Sequence, residues 1–262
     1  MKIALLFLCL AALQIMLRRR LLRKVSAPPP PPPPPASAAE KQTAVLSSAQ
    51  RVTAGEPFDF LPFFRLEYPE QTDRMNAQQR HWAQEAIALF QQQDLEVLPQ
   101  VMEYARRLKD QYPHFYFGYY AAALVLQRQG DFAAACRELE AGIPLSCQKY
   151  TLYAALGSLL YDHGDMNPAF GWWIRSAVSQ SSIRSAGLSV PFVLLGYAAR
   201  YRNLTQIADA LFTIARQVDS KPPLLNEQAE DKLRTQLREK GSDTVHQALV
   251  LLYTEYLPAL LE

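Results

Sequence analysis

The sequence predicts an all-α solenoid of antiparallel helix pairs, with an N-terminal transmembrane helix and a C-terminal capping helix pair. Three observations carry this: a 34-residue repeat around a Gly-Asp turn, an apolar N-terminal run closed by arginines, and two helical segments after the last repeat. The repeat is the strongest. Gly130-Asp131-Phe132 returns as Gly164-Asp165-Met166, Tyr119 as Tyr153, Leu126 as Leu160, Ala135 as Ala169 and Leu139 as Trp173. One helix pair cannot bury its apolar face alone, so equivalent pairs stack and share a core.

The first element is residues 1–24. Ile3 to Leu17 are apolar apart from Gln14, and Arg18-Arg19-Arg20, Arg23 and Lys24 follow. Fifteen helical residues rise about 22 Å, short of the ~30 Å hydrocarbon core, but arginine stems snorkel and Leu21-Leu22 extend the run. A cleaved signal peptide carries its charge ahead of the apolar run and small residues at a cut site. The opposite order here points to an uncleaved anchor, with a cleaved signal or an interfacial helix as alternatives. The positive-inside rule then places the N-terminus outside and the rest in the cytoplasm, most simply at a bacterial inner membrane.

Residues 25–55 read as a proline-rich linker. Pro28 to Pro35 are eight consecutive prolines, a polyproline II rod of about 25 Å that spaces the folded part from the bilayer or docks a proline-binding domain. The first 27 residues hold six cations and no acids while the chain as a whole is +2, which leaves −4 on residues 28–262. A mildly acidic body has no electrostatic reason to bind nucleic acid; the basic cluster suits anionic lipid heads. Residues 56–74 follow, with four phenylalanines between Phe58 and Phe64 and prolines at 57 and 62. This segment reads as a cap folded back on the first repeat or, alternatively, as an exposed recognition segment.

Residues 75–220 hold about four helix pairs. Around 116–149 and 150–183 they resemble the tetratricopeptide repeat, with Tyr153, Leu156, Gly157, Leu160, Gly164, Asp165, Ala169, Trp173 and Ser176 in the family's order. A weaker copy carries Ala88, Leu89, Leu98, Val101, Ala105 and Pro113. A fourth, offset by 39 residues, carries Phe192, Leu195, Gly196, Ala199, Asn203, Ala208, Phe212 and Ala215. The resemblance implies a right-handed superhelix whose first helices line a concave groove. Asn167-Pro168 and Ser189-Val190-Pro191 read as N-caps with proline in the first turn.

Residues 221–262 read as a C-terminal cap: a polar helix over 226–240 ended by Gly241, then a helix bearing Val245, Leu249 and Leu252. A free apolar face there would instead serve an oligomer or a partner.

The groove that the resemblance implies would present Tyr120, Leu124, Gln127 and Arg128, then Tyr161 and Asp162, then Tyr197, Arg200 and Tyr201. Tyrosines and arginines are the usual makings of a protein-recognition surface. The lysines and asparagines with which some relatives grip a terminal carboxylate are missing from these positions. No cofactor, metal site or catalytic residue is expected: the cysteines at 9, 136 and 147 form no C-x-x-C, and no glycine loop cradles phosphate. Free thiols suit a cytosolic domain. The expected function is a membrane-tethered adaptor that recruits a protein partner, with no small-molecule substrate. The layout resembles bacterial inner-membrane proteins of this family that organise envelope biogenesis. The alternative is a structural subunit or assembly factor of a larger membrane machine.

Overall fold

The computed structural model describes residues 58–64, 76–180 and 188–258. The expected anchor and proline-rich linker lie outside the described residues. Among those described, no helix is long and apolar enough to cross a membrane. They form ten α-helices and no strand: α1 (Ala77–Gln91), α2 (Leu98–Gln111), α3 (Tyr116–Arg128), α4 (Phe132–Gly142), α5 (Lys149–His163), α6 (Met166–Ser179), α7 (Ser189–Tyr201), α8 (Thr205–Val218), α9 (Glu227–Lys240) and α10 (Thr244–Leu251). A short 3-10 turn, Leu61–Phe63, precedes them and a π-helical turn, Leu252–Tyr256, follows.

Helices α1 to α8 pack as four successive hairpins, and each hairpin packs on the next through α2 with α3, α4 with α5 and α6 with α7. First helices also lie side by side from α1 through α3 to α5, whereas α5 and α7 make little direct contact. This stacking of adjacent pairs is consistent with a helical solenoid.

The tight turns follow from the repeated glycines. Gly130 and Gly164 take φ of 84° and 100°, the left-handed region that other residues enter only at a cost. Asp131 then caps α4, its carboxylate accepting from the Ala134 amide at 2.9 Å. In the fourth pair Asn203 occupies the equivalent place at φ 59°, as an asparagine tolerates. Two capping expectations are corrected. Helix α6 begins at Met166 with Asp165 as its N-cap, so Asn167 lies inside the first turn. Helix α7 begins at Ser189 itself, with Leu188 before it.

Close approach within pairs depends on small residues. A Cβ on Gly157 would sit 2.6 Å from Trp173 Cδ1, and one on Gly196 would sit 3.0 Å from Phe212 Cε1. Trp173, Tyr153, Tyr161, Phe117 and Phe170 are among the largest fully buried side chains, so the core is densest in pairs two and three.

The ends do not sit where the sequence suggested. The aromatic segment packs on α6, in the third pair, and not on the first. Phe60 meets Phe170 at 5.8 Å, Phe63 meets Trp172 edge-on at 5.3 Å, and Arg175 Nη1 donates to the Pro62 carbonyl at 3.1 Å. Helix α10 joins it there: Thr244 Oγ1 donates to Phe58 O at 2.9 Å, and the Tyr256 hydroxyl donates to Phe64 O at 3.0 Å. Helix α9 packs on α7 and α6 rather than on α8, its predecessor in the chain. It runs back along the stack instead of extending it.

Candidate functional site

The face formed by first helices is where the sequence placed a groove, and the structure divides it in two. Between α3 and α5, Tyr120, Leu124, Gln127 and Asp162 come together with Ala123, Ala155, Ser158 and Leu159. They line a crease that encloses only about 20 Å³, room for one water. Its floor is apolar and its rim polar. Asp162 anchors one end: Oδ1 accepts from Lys232 Nζ at 3.1 Å and Oδ2 from Gln127 Nε2 at 3.4 Å. Ser158 Oγ, in a residue only 5% exposed, has no hydrogen-bond partner. An unpaired buried hydroxyl is costly, and the crease has room for a water that would pair it.

Over pairs three and four the same face is covered by α9. Tyr161 is fully buried, tilted against Trp173 at 5.5 Å, with Lys232 Nζ 4.5 Å from its ring. Burial, and after it the Asp162 carboxylate, raises the Tyr161 pKa. Tyr197 stacks edge-on with Phe212 at 5.2 Å and lies 6.4 Å from Tyr201. Both have raised pKa values, through burial first and the Glu230 carboxylate of α9 next. Leu233 and Leu237 are the buried residues of α9. Its end is tied down by Arg202, whose Nη2 donates to Leu237 O and Gly241 O at 3.4 Å and to Ser242 O at 3.3 Å.

The two arginines serve packing. Arg128 stacks over Phe90 of α1 at 3.7 Å, and burial lowers its pKa. Arg200 is exposed, but its guanidinium lies 5.4 Å from Tyr197 and 5.0 Å from Phe212, on the side of α8. Of the nine residues expected on the groove, four therefore line the crease, where Tyr120 and Leu124 are buried and Gln127 and Asp162 form the accessible rim, three lie beneath α9 and two brace neighbouring helices. Ser158 and Ala155 were missed although a signal existed: they precede Asp162 by four and seven residues, on the same helical face. Nothing in the sequence pointed to Lys232.

A larger cleft of about 740 Å³ lies between α4 and the α5–α6 turn, lined by Phe132, Cys136, Arg137, Glu140, Met166 and Trp172 among others. Its charges are mixed. Burial raises the Glu140 pKa and pushes the Cys136 thiol up to about 12, with the Glu140 and Asp165 carboxylates adding to the latter. A thiol so disposed is a poor nucleophile. Asp165 is engaged by His163 Nδ1 at 2.8 Å, and that imidazole stacks on Phe132 at 3.9 Å. Among the described residues no three His, Cys, Asp or Glu side chains gather as metal ligands. No protein-family model, curated protein or solved structure matches the chain.

Proposed function

We propose that this protein is a membrane-tethered adaptor of the tetratricopeptide type, which recruits a protein partner through its first-helix face. The observation that carries the reading is the Tyr120–Leu124–Gln127–Asp162 crease, apolar in its floor, polar at its rim and too shallow for a small molecule. Small ligands need concave sites of roughly 300–1,000 Å³, whereas a flat crease suits side chains presented by a protein surface. The spread of exposed large apolar residues favours the adaptor over a buried machine subunit: among the described residues Leu61, Leu95, Leu145, Leu224 and Val250 stand on five separate segments. In this reading residues 1–24 anchor the chain in the inner membrane and the proline rod sets its reach. Tethering raises the effective concentration of the groove near membrane partners.

The test is site-specific photo-crosslinking in intact cells, with the photoreactive residue at Gln127 of the full chain and a control at Arg137. A discrete adduct from Gln127 that disappears with Asp162→Lys is the expected result. Adducts equally strong from Arg137, or none from Gln127, would refute it. Protease accessibility of a C-terminal tag reports in parallel on which side of the membrane the groove lies.

A further inference from the structure

We infer that α9 is a displaceable strap, the resting occupant of a helix-docking site on α6 and α7 beside the C-terminal end of α5. Its competing ligand is an amphipathic helix carrying the same pattern, a lysine followed by leucines one and five residues later. The inference rests on the adaptor reading of this face and adds what the face binds and how access is controlled. Four observations support it. First, α5 and α7 make little direct contact, unlike α1, α3 and α5, and α9 lies beside that break, packed on α7 and α6 and reaching Asp162 and Tyr161 of α5 through Lys232. Second, the apolar hold of α9 is narrow: Leu233 and Leu237 are its buried residues, and its other contacts include the polar ones of Lys232 with Asp162 and Tyr161, of Lys240 with the Gly164 carbonyl, of Glu230 with Tyr201 and of Arg202 with the Leu237 carbonyl. Third, non-helical chain flanks it on both sides, Asp219 to Asn226 with Pro222-Pro223 before it and Gly241 to Asp243 after it. Helix α10 is separately anchored by Val245, Leu249 and Leu252. The strap lifts between fixed flanks once Arg202 releases the Leu237 carbonyl. Fourth, the covered and open halves meet at Asp162, whose two oxygens face Lys232 on one side and Gln127 on the other.

A tethered helix competes at a high effective concentration, so a free helix binds with an affinity reduced by the fraction of molecules in which the strap is lifted. The probe is a fluorescein-labelled peptide of residues 225–242, followed by anisotropy. It is titrated into the full chain and into the full chain carrying Leu233→Ser and Leu237→Ser. The opened variant is expected to bind at least about tenfold tighter than the wild type, and Asp162→Lys added to it is expected to remove that gain. Equal binding by wild type and opened variant overturns the inference, as does binding that survives Asp162→Lys.

Amide hydrogen exchange on the wild-type chain is a second test, and it needs no substitution. A strap opens alone, so α9 is expected to exchange about 10-fold or more faster than α10. A structural cap opens with its neighbour, and equal protection of α9 and α10 overturns the inference. Either failure leaves Gln127 crosslinking intact, whereas loss of the crosslink with strap opening preserved sinks the adaptor reading alone.

Discussion

Replacing Gly157 by alanine sets two effects of opposite sign against each other. In an exposed helix the change gains about 1 kcal/mol, because glycine loses more backbone entropy on folding. Here the new methyl would stand 2.6 Å from Trp173 Cδ1, 2.7 Å from Trp173 Nε1 and 2.9 Å from the Ala169 carbonyl. Normal carbon contacts are about 3.5–4.0 Å, so α5 and α6 must part by roughly 1 Å. Trp173 cannot swing clear, since it is fully buried between Tyr161 and Phe170. Overpacking of this kind costs about 1–3 kcal/mol; near its upper end, the net loss is about 2 kcal/mol. At roughly 2–4 °C per kcal/mol for a chain of this size, Tm falls by about 4–8 °C.

Gly196→Ala is the matched control. The three atoms nearest its methyl would all belong to the Phe212 ring, at 3.0–3.2 Å, and a shift of a few tenths of an ångström nearly cancels the propensity gain, leaving Tm within about 2 °C. Thermal unfolding of the full chain by tryptophan fluorescence reads mainly the third pair, which holds two of the three tryptophans, Trp172 and Trp173. A rise in Tm for Gly157→Ala, or a fall no larger than that of Gly196→Ala, would refute the tight contact between α5 and α6.

Other outcomes are expected from the same contacts. Phe60→Ala removes a 5% exposed ring from Phe58 and Phe170; urea unfolding should show a loss of about 3 kcal/mol. Arg128→Ala gives up the stack on Phe90 and should cost about 1 kcal/mol in the same assay. Cys136, with its thiol pushed up to about 12, should resist Ellman's reagent at pH 8 in the folded chain and react once urea is added. Stability should also fall as pH rises above about 9, measured as the urea midpoint. Cys136, Tyr119, Tyr161, Tyr197 and Tyr201 all have raised pKa values in the fold. The unfolded chain therefore ionises first, and the stability present below the unfolded pKa values is lost toward the folded ones. A midpoint unchanged between pH 8 and pH 10.5 would contradict this.

The stacked pairs were legible because their determinants are local. A glycine forced to positive φ at 130 and 164, and a missing side chain at 157 and 196, write the turn and the close approach directly into the sequence. The crease was legible in part, since residues four apart on α3 and α5 share a face. What lay beyond reach was long-range. Lys232 meets Asp162 across 70 residues, and Phe58 meets Thr244 across 186. No periodicity encodes such partners: a polar helix with two leucines fits an outward cap as well as a strap. Tyr161 shows the same limit, because its helical position suits either the groove or the core and only the neighbouring Trp173 decides between them.

The meeting of Phe58–Phe64 with α6 and α10 has a mechanical consequence. Tension drawn through residue 58, as a moving membrane attachment would apply it, enters the stack at its third pair through Phe60, Phe63 and Arg175. It reaches the C-terminal end through Thr244 and Tyr256. Pairs one and two hang outside that load path, so the α3 wall of the crease, with Tyr120, Leu124 and Gln127, is unloaded, while the α5 wall, with Ser158 and Asp162, belongs to the pair that takes the pull.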